Sequence, residues 1–198
     1  VDQSFTTLVE NARGVLSTHT MNGFGGVVSV VDPIGTTTTE WNLAQRQPER
    51  VTDAESVVTV FDYNADGNKI SERVSGRGNP VEATWTYYPK SDFSPPHIKN
   101  RVASHVDFAG DADLYRYDQR GNQTSHTRGG KTEHSTYYAN GDVSSHRDFA
   151  ENTTTFTYHA SGLPTRIVYP GGAVSSQTID GRARVRSRTN ELNETERS

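Results

Sequence analysis

The stretch FDYNADGNKI carries oxygen-bearing side chains in a pattern that is typical of calcium loops. Asp62, Asn64 and Asp66 stand at alternate positions and Gly67 follows them. Carboxylate and amide oxygens of this kind are the ligands that Ca²⁺ prefers. An EF-hand loop starting at Asp62 would need a bidentate Glu at its twelfth position, where Arg73 stands. We expect a hairpin turn built from these residue types and no metal site, with a shorter calcium loop at Asp62, Asn64 and Asp66 as the alternative.

The sequence RGGKT imitates the end of a phosphate-binding loop. The upstream glycine that this motif requires would fall at Ser125, and no helical pattern follows to supply a helix dipole. Gly129 and Gly130 are more typical of a two-residue hairpin turn. We expect a turn here and no nucleotide site.

The acidic and histidine residues of the second half invite an enzymatic or metal-binding interpretation. Asp111 and Asp113 should share one strand face, but a glycosidase needs two carboxylates held about 5 to 10 Å apart in a cleft. No serine stands in a nucleophile elbow, and the histidines lack the close spacing of zinc ligands. We expect no enzymatic activity, no cofactor and exposed strand histidines at His126, His134, His146 and His159.

Composition excludes several classes of function. The 198-residue chain has a net charge of −4 and no cysteine, so it has neither a disulfide framework nor a thiolate metal site. Its one basic run, RARVRSR, is more typical of a solvated strand face than of a nucleic-acid interface. No apolar run approaches the about 18 residues of a membrane span. We expect neither a nucleic-acid partner nor a membrane span.

A repeated frame of an aromatic residue, three mostly polar residues and a glycine organises the chain. Weaker copies begin at Trp41, with Gln45 in place of the glycine, and include Gly181. The clear copies pair Tyr63 with Gly67, Tyr117 with Gly121, Tyr137 with Gly141, and Tyr158 with Gly162. Successive copies in the second half lie about 20 residues apart, which is too short for a helical hairpin repeat.

Each copy reads as strand, tight turn and strand. In TTTFTYHASG, Phe156 and Tyr158 alternate with threonines, as expected for a half-buried strand. The turn glycine permits a positive φ, which the Asn, Asp or Ser before it also tolerates. The nearest approach to a helical pattern is the short segment VENARGVL.

These patterns predict an all-β fold made of consecutive antiparallel β-hairpins. Because an isolated hairpin is marginally stable, neighbouring units must cover one another's aromatic faces. A β-propeller-like closure is the alternative architecture. The aromatic residues at equivalent repeat positions are predicted to pack between units, with a sugar-stacking stripe as the alternative; they are Trp41, Tyr63, Trp85, Tyr87, Tyr117, Tyr137 and Tyr158.

The frame resembles the YD-repeat, also called the RHS-repeat. YDQRGNQT, which begins at Tyr117, matches the family pattern of Tyr-Asp-x-x-Gly-Arg/Asn followed by a Thr- or Val-rich strand. VVDPIGTTTTEW is similar to the Asp-Pro-x-Gly turns that link the family's units. The family's conserved core carries DPIG followed by a Leu- and Gly-rich stretch, whereas TTTTEW follows Gly35 here, so self-cleavage is not expected.

The resemblance implies a sheet of hairpins that winds in a spiral and closes into a hollow shell. In polymorphic bacterial toxins and Tc-type toxins the shell surrounds a C-terminal toxic segment, and in teneurin-like receptors it serves adhesion. It implies a structural shell or scaffold segment of a large secreted or cell-surface protein, with further YD repeats of the same or a partner chain and an encapsulated toxin segment as partners. The alternative is a β-repeat module that binds a surface glycan.

The chain is predicted to divide into three parts. Residues 1–26 form a lead-in segment, residues 27–188 form the hairpin array with an insertion near 89–100, and residues 189–198 form a polar tail. The repeat-defining structural residues are the tyrosines and glycines of the four clear copies.

Overall fold

The structure is a computed structural model that describes residues 4–89 and 98–197. Most of the predicted insertion near residues 89–100, including Pro95 and Pro96, lies outside the described residues.

The described residues form β-strands and one short 3₁₀ segment, Pro170–Gly172. The strands are β1 (Phe5–Glu10), β2 (Leu16–Met21), β3 (Val27–Asp32), β4 (Gly35–Asn42), β5 (Gln47–Thr52), β6 (Val58–Tyr63), β7 (Lys69–Ser75), β8 (Val81–Tyr87), β9 (Val102–Val106), β10 (Ala112–Tyr117), β11 (Gln123–Arg128), β12 (Lys131–Tyr137), β13 (Val143–Arg147), β14 (Thr153–Tyr158), β15 (Pro164–Val168), β16 (Val174–Ile179), β17 (Val185–Thr189) and β18 (Thr195–Arg197).

Contacts divide the chain into two compact units. Unit 1 comprises Val1–Tyr87 and Ser104–Asp111, and unit 2 comprises Tyr88–Ala103 and Ala112–Ser198. In unit 1, each strand from β1 to β8 pairs antiparallel with the next along the chain. In unit 2, β10 to β18 follow the same rule. The predicted all-β array of consecutive hairpins is confirmed.

Neither unit closes on itself within the described part of the chain. β1 pairs with β2 alone among the strands of unit 1, and β18 pairs with β17 alone among those of unit 2. A propeller consists of separate blades of about four strands, whereas β1 to β8 and β10 to β18 each pair as one continuous ladder, so the propeller-like alternative is wrong.

Strands occupy the predicted terminal segments as well as the predicted array. β1 and β2 lie within residues 1–26, and β18 lies within residues 189–198. The hairpin pattern therefore extends on both sides of the boundaries that the sequence suggested.

The fold has almost no hydrophobic core. Among the described residues, Ala83 and Ile98 are the only buried apolar side chains, with exposed fractions of 2% and 8%. The aromatic residues of the repeat are half-buried rather than enclosed. Because successive side chains of a strand point to opposite faces, both faces of each sheet carry partly exposed residues.

Candidate functional site

The recurring structural feature of the chain is a five-residue hairpin turn. The N–H of its first residue donates to the carbonyl of its fifth, and the N–H of its fourth donates to the carbonyl of its first. In the turn Asn64–Asn68 these N···O distances are 2.9 and 3.0 Å. A type I turn closed by a left-handed residue and a bulge has this pattern. In the described residues, twelve such turns begin at Asn11, Asn22, Asp53, Asn64, Asp107, Asp118, Tyr138, Asp148, His159, Tyr169, Asp180 and Asn190.

Asn or Asp occupies the first position in nine of these twelve turns. The side-chain oxygen of Asn64 accepts N–H bonds from Asp66 at 3.0 Å and from Asn68 at 2.9 Å. Asp148 accepts equivalent bonds from Ala150 and Asn152. Short side chains with an oxygen favour turns because they bond to their own backbone two residues on. This position defines the turn more consistently than the glycine does.

The residues that suggested a calcium loop take part in this hairpin. Asp62 Oδ2 accepts a bond of 2.6 Å from Arg73 Nη2, and the Asn64 oxygen holds the turn. Asp66 is the exposed third residue of the turn. Within residues 4–89 and 98–197, no group of three or more His, Asp or Glu side chains is arranged to hold a metal ion. The calcium loop stays the less favoured alternative from the sequence.

The four repeat glycines all lie at the fourth position of a five-residue turn. The φ angles are 81° for Gly67, 86° for Gly121, 94° for Gly141 and 80° for Gly162. This left-handed region strains any residue that carries a Cβ.

Two weaker copies are positioned differently from the prediction. In the turn that begins at Asp180, the left-handed residue is Ala183, with a φ of 60°, so Gly181 is not the turn glycine. After Trp41, Arg46 has a positive φ of 55° instead of Gln45. Alignment on glycine alone missed both positions.

The first aromatic residue of several units reaches back to the preceding hairpin. Trp41 Nε1 donates to the Val27 carbonyl at 2.9 Å. The hydroxyl groups of three tyrosines make the same kind of contact. Each bond joins a side chain of one repeat hairpin to a backbone carbonyl of the preceding hairpin. These bonds run from Tyr63 to Pro48 at 2.9 Å, from Tyr87 to Lys69 at 2.7 Å and from Tyr137 to Gln123 at 2.7 Å.

Other repeat aromatics pack against rings and cations. Tyr117 makes an edge contact with Tyr88, with ring centroids 5.8 Å apart, and the Arg101 guanidinium lies 5.2 Å from its centroid. Trp85 has the Lys69 ammonium 4.1 Å from its centroid. These contacts agree with the predicted packing of aromatic side chains between neighbouring repeat hairpins.

Burial alters the acidity of these tyrosines. Desolvation raises the pKa of Tyr63 and Tyr87 above the ordinary value of 10.0, and Glu72 and Glu49 add to the effect at Tyr63. Burial also raises the pKa of Tyr117, against the lowering effect of Arg101. The neutral phenol, which can donate to a carbonyl, is therefore favoured in the folded protein.

A group of polar contacts crosses β10, β11 and β12. His126 Nε2 lies 2.6 Å from Asp113 Oδ1, and His126 Nδ1 lies 3.2 Å from Glu133 Oε1. Arg128 Nε is 3.5 Å from the same Asp113 oxygen. The His126 side chain is only 18% exposed, so the prediction of an exposed histidine is wrong at this position. Tyr115 stacks on its ring at 4.8 Å.

The clustered acids serve different structural roles. Asp107 and Asp118 are first residues of five-residue turns, and Asp111 is exposed at the end of one of them. Asp113 is buried, with a side chain that is 6% exposed. Hydrogen bonds from the Asn122 side chain and backbone lower the pKa of Asp118 despite an opposing effect of burial.

The RGGKT segment is a hairpin turn, as predicted. Arg128 pairs with Lys131 at the end of the β11–β12 ladder, and Gly129 and Gly130 have φ angles of 56° and 74°. Two consecutive positive φ angles are the signature of a type I′ hairpin turn.

Comparison with known proteins agrees with the repeat pattern. Residues 137–174 match the family model "RHS Repeat". No curated protein matches the chain. Within the described residues, no helix has the length and apolar character of a membrane span.

Two solved structures share the fold of almost the whole chain. One is the Photorhabdus luminescens Tc holotoxin pore, with 13% identity, a TM-score of 0.64 and 94% of this chain covered. The other is the crystal structure of TcdB2-TccC3-Cdc42, with 12% identity, a TM-score of 0.65 and 98% covered. The matched regions span only 11% and 12% of those chains.

Proposed function

We propose that the chain belongs to the RHS-repeat family, whose model matches residues 137–174, and that it forms a segment of the wall of a hollow shell built from consecutive β-hairpins. The observation that carries this proposal is the nearly absent core of an otherwise regular array. Only Ala83 and Ile98 are buried apolar residues in the described chain. A repeat sheet of this kind gains its stability from neighbouring units on either side.

The contacts between hairpins support a scaffold role. Each tyrosine hydroxyl bond fixes one hairpin on the backbone of the neighbouring hairpin. The five-residue turns hold the ends of paired strands together. Among the described residues, the recurring geometry lies in the repeat itself and not in one convergent group of reactive side chains. We infer a structural rather than a catalytic role for the segment.

The partners of such a segment follow from its open strands. Further RHS repeats, of the same or a partner chain, would continue the ladders at β1 and β18, because an unpaired strand edge offers backbone donors and acceptors to another strand. In a toxin-delivery protein the wall would surround a toxin segment, and the assembly would act outside the cell that makes it.

The genomic reading frame around this chain tests the proposal. We expect the frame to continue in both directions through further units with an aromatic residue and a five-residue turn. Stop codons directly at both ends of the 198-residue segment would contradict a shell wall, because so few hairpins cannot enclose a volume.

A further inference from the structure

A cleft of about 460 Å³ lies between two neighbouring turns of unit 2. The turn Tyr138–Asp142 forms one side, and the end of β14 with the start of the next turn forms the other. Its polar and aromatic lining consists of Tyr138, Asn140, Asp142, Tyr158 and His159. Two alanines and a threonine complete the lining.

The two turns beside this cleft depart from the rule that most turns obey. Nine of the twelve begin with Asn or Asp, but these begin with Tyr138 and His159. The backbone pattern is unchanged, since Tyr138 N–H donates to the Asp142 carbonyl at 2.8 Å and Gly141 N–H donates to the Tyr138 carbonyl at 3.0 Å. The turn therefore does not require an aromatic ring at Tyr138.

Two tyrosine rings form adjoining walls of the cleft. The rings of Tyr138 and Tyr158 are nearly perpendicular, at 87°, with centroids 6.1 Å apart. The Tyr138 hydroxyl donates to the Phe156 carbonyl at 2.9 Å, which fixes the ring while 41% of the residue stays exposed. The face of an aromatic ring attracts cations, above all alkylated ammonium groups.

The lining carries one negative charge and no lysine or arginine. Asn140 Nδ2 donates to Asp142 Oδ2 at 2.7 Å and so orients that carboxylate. In the described part of the chain, no basic side chain forms an ion pair with Asp142. After burial, the Asp142 carboxylate and Tyr138 are the causes that raise the pKa of Tyr158.

Two basic side chains adjoin the cleft. His159 Nδ1 lies 3.1 Å from the Ser161 backbone nitrogen and 2.8 Å from Ser161 Oγ. Arg120 donates to the Ala139 carbonyl but does not belong to the lining. Asp142 is thus the one carboxylate among the lining residues.

We propose that this cleft binds an alkylammonium group, with the faces of Tyr138 and Tyr158 around its methyl groups and Asp142 balancing its charge. Alkylation weakens the hydration of an ammonium group, so such a cation is more readily transferred to aromatic surfaces than a bare ammonium. An anion would be repelled by Asp142. The proposal is independent of the shell-wall function.

Titration of the 198-residue chain with tetramethylammonium chloride, followed by ¹H–¹⁵N NMR at constant ionic strength, tests the site. We expect saturable shift changes at residues 138–142 and 157–160. The Asp142→Asn and Tyr138→Leu variants should each bind about tenfold more weakly. Tyr169→Leu changes the first residue of another five-residue turn outside the cleft and should leave affinity unchanged. Phosphocholine and a trimethyllysine peptide, titrated separately, distinguish a lipid headgroup from a methylated protein side chain as the source of the alkylammonium group.

Neutral probes supply the outcomes that would overturn the proposal. tert-Butanol has a similar shape without charge, so equal saturation by tert-butanol would show an apolar patch only. Saturation by a neutral disaccharide without any response to tetramethylammonium would indicate a glycan site instead. Unchanged affinity in Asp142→Asn, whose NMR spectrum also reports whether the variant is folded, would remove the charge argument.

Discussion

At the scale of single residues, the turn is specified by two positions. The first residue supplies a side-chain oxygen for backbone N–H groups, and the fourth adopts a left-handed conformation. Glycine adopts this conformation without strain, whereas Ala183 adopts it at a φ of 60° in the turn that begins at Asp180. The turn tolerates such strain because Asp180 accepts N–H bonds from Arg182 and Arg184, both at 2.9 Å.

Gly162→Ala should lower the stability of the protein by about 1 kcal/mol, because alanine is strained at a φ of 80°. An added Cβ would meet no atom within 4 Å, so the effect would be conformational and not steric. Gly181→Ala is the matched control, since Gly181 also has open space but no positive φ. Urea unfolding should show a lower midpoint for Gly162→Ala alone; equal midpoints would contradict the assignment of the turn positions.

Tyr63→Phe should cost about 1 kcal/mol, because it removes the hydroxyl bond to the Pro48 carbonyl and keeps the ring. Tyr158→Phe is the control, as the Tyr158 hydroxyl makes no hydrogen bond within the described residues. The measurement is the urea midpoint of each variant. Equal losses in both variants would mean that the bond between units contributes nothing.

At the scale of elements, side chains connect strands that follow one another along the chain. His126 on β11 contacts Asp113 on β10 and Glu133 on β12, so one histidine joins three strands. The aromatic hydroxyl bonds act similarly between hairpins. Cross-strand contacts of this type are the unit of sheet stabilisation.

Asp113→Ala should destabilise the protein by about 2 kcal/mol, because it removes the buried carboxylate that contacts both His126 and Arg128. Asp111→Ala, two residues earlier and exposed, should change stability by less than about 0.5 kcal/mol. Thermal or urea unfolding of the two variants measures the difference. A neutral effect of Asp113→Ala would show that the contacts are incidental.

The aspartates that begin turns should give the chain an acid-sensitive stability. Backbone hydrogen bonds from Asn152 and Arg184 lower the pKa values of Asp148 and Asp180, respectively, below 3.8. A group with a lowered folded pKa stabilises the fold above its unfolded pKa and loses this contribution as pH falls through the folded pKa. We expect the urea midpoint to fall below about pH 4, with a shallower fall in a variant carrying Asp118→Asn, Asp148→Asn and Asp180→Asn.

Asparagine suits this comparison because it begins four of the natural turns and retains the accepting oxygen. These are the turns at Asn11, Asn22, Asn64 and Asn190. If the urea midpoint of the triple variant fell with decreasing pH as steeply as that of the original protein, groups other than these three aspartates would cause the acid sensitivity.

At the scale of the whole molecule, the sequence predicted the class of fold but only part of the array. The spacing of glycine and aromatic residues located four copies of the repeat, because the turn glycines align when the copies are superposed. The turns with Ser56, Glu151, Ala183 or Asn193 at the left-handed position escaped detection. The Asn or Asp three residues earlier was the available signal.

Other features depend on strand register and could not be predicted from spacing. Asp113 and Glu133 lie 13 and 7 residues from His126 in sequence, and only the pairing of β10, β11 and β12 brings them together. VENARGVL, the nearest approach to a helix, forms the end of β1 and the turn Asn11–Val15. Local helical preference was overridden there by pairing between strands.

Electron cryomicroscopy of the protein encoded by the complete reading frame would show whether these hairpins form part of a shell wall. Residues 5–89 and 98–197 should lie as consecutive hairpins in a continuous wall, with one face toward an enclosed volume and the ladders continued beyond β1 and β18. A structure in which both faces of these hairpins are open to solvent, or packed against helices of a compact domain, would contradict this expectation.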